Sequence, residues 1–177
     1  MSAEVSQIWR AHWQPASELE LAVSVRDWLL NTESLTARLK ALPGEFSLHL
    51  CLEQSVLLPA EFATRWQCHE AIVREVVLSV ANVPCVYAQS FMPLATVQAL
   101  APLASLGEKP LGEFIFQQPD LQRGEIEIAH FAAGLCLPSL GVQEELYGRR
   151  SLFTLRDQQL LVQELFLPGL FNSCSVI

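Results

Sequence analysis

Apolar residues recur with a period of two over most of this chain and with near-helical spacing in a few short stretches. Glu18–Leu30 places Leu21, Val25, Trp28 and Leu29 close to one helical stripe before Asn31-Thr32-Glu33-Ser34 interrupts it. Ser34 is positioned to cap a second short helix, Leu35–Leu42, which Pro43-Gly44 ends. Phe46, Leu48, Leu50 and Leu52 then alternate with Ser47, His49, Cys51 and Glu53, which is a strand pattern. A loop is expected from Gln54 to Gln67. His69–Val80 and Val83–Met92 follow as a hairpin about Ala81-Asn82, with Pro84 near the start of its second strand. Pro93–Phe116 turns helical, broken into pieces by Gly107 and Pro110. Arg123–Phe131 alternates again, a loop covers Ala132–Gly141, and Leu146–Leu155 joins Gln158–Leu167 through a tight turn at Arg156-Asp157.

The expectation is about six strands linked mainly by hairpins, hence antiparallel pairing, with helices grouped in two insertions. The fold class is therefore α+β: one antiparallel sheet with short helices on one face, in a single domain over residues 1–177. Internal repeats and low-complexity segments are absent from the sequence.

Two charges break the pattern. Leu160–Pro168 has seven apolar residues among nine, with Glu164 in the middle. On a strand, Glu164 shares its face with Leu160, Val162 and Phe166, where an ionised carboxylate is costly unless it is paired. Arg74 likewise shares its face with Ile72, Val76, Leu78 and Val80, and its planar fork suits a carboxylate. Parity alone admits two readings: a structural Arg74–Glu164 ion pair, or a site in which Arg74 holds a ligand carboxylate while Glu164 faces the reacting end.

Composition narrows the possibilities. The 177 residues are 51% hydrophobic and only 17% charged, against about 25% charged in an average domain. That points to a large core or an enclosed apolar pocket. A net charge of −8 disfavours nucleic acid or an anionic membrane as a partner. The odd number of cysteines (Cys51, Cys68, Cys85, Cys136 and Cys174), with no CxxC, suggests reduced thiols in a cytoplasmic protein. Met1–Trp13 lacks the apolar core of a signal peptide, and no run reaches the ~20 apolar residues of a membrane span.

Other motifs fall short. Gly107-Glu108-Lys109-Pro110-Leu111-Gly112 has phosphate-loop spacing but is followed by Glu113-Phe114 instead of Lys-Ser/Thr. His49, Cys51, Cys68, His69 and His130 match no common zinc spacing, so no metal is expected. No Gly-x-Ser-x-Gly occurs. Arg149 and Arg150 read as edge-strand arginines, solvated or protective, although they could hold an anion.

Val25-Arg26-Asp27-Trp28-Leu29-Leu30, Arg74-Glu75-Val76, Lys109-Pro110-Leu111-Gly112, Tyr147-Gly148-Arg149-Arg150-Ser151 and Glu164-Leu165-Phe166-Leu167-Pro168 together resemble chorismate lyase. Order and spacing match from about residue 22 to residue 170, and the specificity lies in the colinear set. The resemblance implies conversion of chorismate to 4-hydroxybenzoate and pyruvate, the entry to ubiquinone synthesis, by a cytoplasmic monomer without a cofactor. It also implies a ligand buried beneath two helical flaps. By that resemblance Arg74 binds the ring carboxylate and Glu164 lies near the para oxygen. Leu35 and Leu111, one on each expected flap, contact the ligand through backbone groups. Leu35 stands where the family can have methionine, a change of little weight for a main-chain contact. Ala88-Gln89 stands where a related enzyme has Gly-Arg, which leaves the enolpyruvyl carboxylate without an arginine there; Arg149 and Arg150 are candidates in its place.

The reaction loses the C4 hydrogen and breaks the C3–O bond, driven by aromatisation, and needs neither metal nor redox cofactor. Glu164 either acts as general base or only positions the C4 hydroxyl while the hydrogen passes internally to the enolpyruvyl methylene. A non-catalytic domain of the same shape that senses or carries small aromatic acids is the alternative. The regulators that use such modules carry a DNA-binding domain in front, for which residues 1–20 are too short.

Overall fold

The computed structural model describes residues 8, 11–18, 20–58, 60, 63–64, 67–135, 137, 140 and 144–174. Among the described residues, eight strands form one antiparallel sheet: β1 (Gln14–Pro15), β2 (Phe46–Leu57), β3 (Glu70–Val80), β4 (Val83–Pro93), β5 (Gln122–Arg123), β6 (Glu127–Phe131), β7 (Leu146–Leu155) and β8 (Gln158–Phe166). Their order is β1-β6-β7-β8-β4-β3-β2, with β5 pairing onto β7. The helices are α1 (Val23–Leu29), α2 (Leu35–Lys40), α3 (Leu94–Ala99), α4 (Leu111–Ile115) and α5 (Pro168–Cys174), with a 3-10 turn at Ala101–Ser105. None of the described helices is long and apolar enough to cross a membrane.

The two expected hairpins form where the turn chemistry places them. Ala81 and Asn82 have φ of 50° and 63°, and Arg156 and Asp157 have 50° and 61°, the left-handed pair that matches the twist of two adjoining strands. Ser34 caps α2, accepting a hydrogen bond from the Ala37 amide at 3.3 Å.

The strand count differs from six because β1 and β5 are two-residue pairings, too short for any periodicity to register. The expected Arg123–Phe131 strand is split, with β5 and β6 separated by Gly124-Glu125-Ile126. The expected loop from Gln54 starts late, since β2 runs on to Leu57. A bulge between Leu50 and Leu52 inserts Cys51 and shifts the β2–β3 register. Leu50 thus stays opposite Val76, but Leu52 faces Glu75 and Glu53 faces Arg74. The expected shared face of Leu48, Leu50 and Leu52 is therefore broken. The segment after Pro168 is helix α5, whose Leu170 is fully buried.

Both faces of the sheet are covered. On the front, Trp28, Leu29, Leu35 and Leu39 from α1 and α2 pack on Val76, Leu78, Val86, Ala88 and Phe166. Beside them Leu103, Leu106, Leu111 and Ile115 pack on Met92, Phe153 and Leu160. On the back, Val77, Tyr87, Leu146 and Leu165 form a second core with Ile8, Phe131 and Leu137. Cys51 and Cys68 are free thiols; Cys136 and the side chain of Cys174 lie outside the described residues, as do parts of the expected loops at 54–67 and 132–141 and most of Met1–Arg10.

Candidate active site

Alternation along three adjacent strands brings the inward charges to one place. Val76, Ala88 and Glu164 lie side by side across β3, β4 and β8, and Arg74, Ser90 and Val162 form the next row on that face. Two strand spacings and a two-residue offset put the Arg74 and Glu164 backbones roughly 11 Å apart. Arg74, Val76, Ala88, Ser90, Val162 and Glu164 line a mainly apolar cavity of about 50 Å³. Leu35 and Thr36 at the start of α2 and Pro110, Leu111 and Gly112 at the start of α4 also line it, with Phe153 on β7. All four residues singled out in the sequence, Arg74, Glu164, Leu35 and Leu111, thus meet at one cavity.

The two covering helices touch each other. Lys40 on α2 forms an ion pair with Glu113 on α4, and a methyl group added to Gly112 would sit 3.1 Å from Thr36 Oγ1. Side-chain freedom was given up at Gly112 to bring α4 close to α2.

Arg74 and Glu164 do not form the ion pair that parity allowed. Arg74 is 2% exposed. Its Nη2 donates to the carbonyls of Gly107 at 2.8 Å and Lys109 at 3.0 Å, which ties the segment before α4 to β3. Its Nε lies 3.4 Å from Glu53 Oε2, yet makes no hydrogen bond. Glu53 reaches Arg74 only because the Cys51 bulge turns it to the front face. Burial pulls the Arg74 pKa below its ordinary value, and Glu53 opposes that shift.

Glu164 is held by Arg149. The two residues stand directly opposite on β7 and β8, and Arg149 Nε donates to Glu164 Oε2 at 2.5 Å. Arg149 Nη1 also donates to the carbonyls of Trp28 and Leu29, each at 3.2 Å, and of Asn31 at 2.6 Å. This corrects the reading of Arg149 as an edge arginine: β7 is interior, between β6 and β8, and Arg149 is 1% exposed. The signal was available, since Arg149 shares strand parity with Ser151, Phe153 and Leu155, the argument already applied to Arg74. Arg150 points to the back face, where Nε and Nη2 donate to Glu127 at 2.7 and 3.1 Å.

A third arginine was not singled out by the sequence. Arg123 Nε donates to Ser151 Oγ at 3.0 Å and its Nη1 to Asn31 O at 3.2 Å, the carbonyl that Arg149 also uses. Its guanidinium lies 5.2 Å from the Phe153 ring centre. Burial, then the neighbouring charge of Arg149, lower its pKa to about 10, and Glu164 opposes them. Nothing in the alternation flagged Arg123, because β5 is two residues long.

A family model described as "Chorismate lyase" matches residues 7–176. A protein of Pseudoalteromonas translucida named "Probable chorismate pyruvate-lyase" is 43% identical over 169 residues, covering 91% of this chain and 94% of its own. One of the same name from Psychromonas ingrahamii is 36% identical, covering 93% and 91%. Among solved structures, the effector domain of PhnF from Mycobacterium smegmatis superposes with a TM-score of 0.59 at 15% identity, over 78% of this chain and 91% of that one. The C-terminal domain of a histidine utilization repressor from Pseudomonas syringae pv. tomato gives 0.55 at 13%, over 70% and 92%. At those identities the likeness is one of fold.

Proposed function

The chain belongs to the chorismate lyase family, and we propose that the cavity between Arg74 and Glu164 is where its reaction takes place. The protein is a lyase that converts chorismate to 4-hydroxybenzoate and pyruvate. We assign it the step that supplies the ubiquinone ring precursor, in the cytoplasm and as a monomer. One observation carries the site: a fully buried arginine and a carboxylate, set on adjacent rows of the sheet two strands apart, line one apolar cavity, an arrangement that suits a ring with a carboxylate at one end and an oxygen at the other.

Arg74 anchors the ring carboxylate. Its Nη2 is committed to two carbonyls, which fixes the plane of the guanidinium and leaves the other N–H groups to meet the carboxylate, and a preset donor orients a carboxylate better than a mobile one. Glu164 accepts a hydrogen bond from the C4 hydroxyl. Arg149 on one oxygen fixes the carboxylate's rotamer and occupies one of its acceptor sites, which supports the positioning role. The C4 hydrogen then passes to the enolpyruvyl methylene as the C3–O bond breaks: the electrons of the C4–H bond complete the aromatic ring, and the methylene becomes the methyl of pyruvate. Leu35 and Leu111 each begin a helix, where backbone N–H groups have no intrahelical acceptor, which supports ligand contacts through the main chain.

Helices α2 and α4 act as flaps. A cavity of about 50 Å³ is smaller than the roughly 150 Å³ that admits benzene, so the helices must part for a ring to enter or leave. Release of 4-hydroxybenzoate, which retains both anchored groups, is then slow.

The experiment is to mix the protein with chorismate and follow 4-hydroxybenzoate by absorbance and pyruvate by a coupled assay. Equimolar formation of both is expected, with Glu164→Ala lowering kcat by roughly 10²-fold or more. Tight 4-hydroxybenzoate binding without turnover would instead make the domain a sensor or carrier, and near-normal turnover in Glu164→Ala would remove Glu164 from the site.

A further inference from the structure

Chorismate carries two carboxylates, and Arg74 accounts for the one on the ring. The enolpyruvyl carboxylate hangs from C3, beside the C4 hydroxyl, so it falls at the Glu164 end of the cavity. Arg149, Arg150 and Arg123 all belong to the β5–β7 part of the sheet next to that end. Arg150 is excluded by direction, being forked onto Glu127 on the back face. Arg149 is set aside because its charge is already paired with Glu164, while its Nη1 serves three carbonyls.

Arg123 is in a different condition. Both of its acceptors, Ser151 Oγ and Asn31 O, are neutral, and it makes no ion pair among the described residues. The carboxylate whose charge acts on it, Glu164, is already taken by Arg149. A second guanidinium shares its carbonyl, and burial together with that charge lowers its pKa to about 10. A largely desolvated cation with neutral acceptors and a like charge beside it is unfavourable in the free protein, and an incoming anion relieves it. The guanidinium lies over Phe153, a wall of the cavity. Ser151, which holds Nε, pairs in register with Val162 on the cavity floor.

We propose that Arg123 receives the enolpyruvyl carboxylate and so distinguishes the dianionic substrate from the monoanionic product. The assignment rests on Arg74 and Glu164 holding the two ends of the ring. The substrate then meets a cation at each end, Arg74 in the cavity lining and Arg123 next to the lining residue Phe153. Once the C3–O bond breaks, the second carboxylate departs with pyruvate, and 4-hydroxybenzoate offers Arg123 nothing. Part of the binding energy thus acts on substrate alone, which limits how far the product competes.

The test uses Arg123→Met and Arg123→Lys, with KM and kcat for chorismate and binding of two stable ligands, 4-hydroxybenzoate and 3-(carboxymethoxy)-4-hydroxybenzoate. The second ligand keeps the aromatic ring and adds a carboxylate through an ether at the C3 position. Arg123→Met is expected to raise KM for chorismate by roughly 10- to 100-fold and to weaken the dianionic ligand by a similar factor. Its affinity for 4-hydroxybenzoate stays unchanged, which also shows the variant is folded, and Arg123→Lys recovers part of the loss. Equal loss for both ligands, or loss for neither, overturns the proposal. Arg74→Met provides the separate control: if it still binds 4-hydroxybenzoate normally, the ring assignment fails whatever Arg123 does.

Discussion

Arg149 and Glu164 face each other across β7 and β8 with Nε and Oε2 2.5 Å apart, and both side chains are largely removed from water, at 2% and 15% exposure. The pair joins the proposed reacting end of the cavity to the end of α1, because Arg149 Nη1 gathers the Trp28, Leu29 and Asn31 carbonyls just before α2 begins. Removing one partner leaves a buried charge. Arg149→Met is expected to cost about 3–5 kcal/mol and to lower Tm by roughly 6–20 °C. The double variant Arg149→Met/Glu164→Leu should regain most of that stability while remaining inactive. Thermal melts of the three proteins check this; a double variant no more stable than the single would show that the carbonyl bonds, not the ion pair, dominate.

Arg74 contributes geometry as well as charge. Lysine at this position keeps the charge but cannot bond two carbonyls and a ligand carboxylate in one plane. Arg74→Lys is expected to weaken 4-hydroxybenzoate by about 10- to 100-fold, with a matching rise in KM for chorismate. Calorimetric titration with the product reads the first and initial rates the second.

Gly112 sets the closeness of the two covering helices. The methyl group of Gly112→Ala would meet Thr36 Oγ1 at 3.1 Å, tighter than ordinary contact, so α4 must move away from α2 by a few tenths of an ångström. A strain of about 1 kcal/mol should weaken 4-hydroxybenzoate by about fivefold. If release limits turnover, kcat rises with it, and pre-steady-state measurement of product release separates this from a change in chemistry.

The back face holds a polar row that the reaction does not use. Glu75, Gln89 and Gln163 are adjacent in register and each is at most 1% exposed. Gln89 Nε2 donates to Glu75 Oε1 at 3.0 Å, while neither amide atom of Gln163 has a partner. Gln163→Leu should therefore leave Tm unchanged or raise it, with kcat untouched. Gln89→Leu strands the Glu75 carboxylate and should cost about 1–3 kcal/mol. Melting curves distinguish the two.

The period-two alternation and the left-handed turn residues determined a good deal by themselves. They located both hairpins, the antiparallel sheet, the Ser34 cap, and the inward direction of Arg74 and Glu164, because side-chain direction on a strand and turn conformation are local properties. The resemblance added Leu35 and Leu111, and all four residues meet at one cavity. Which charges pair was decided only by tertiary structure. Glu53 reaches Arg74 through a one-residue bulge that no pattern announces, Arg149 reaches Glu164 because β7 lies inside the sheet, and Arg123 arrives from a strand of two residues. Ion pairing depends on register and strand order, which join residues far apart in the chain, and parity along one strand carries no information about either.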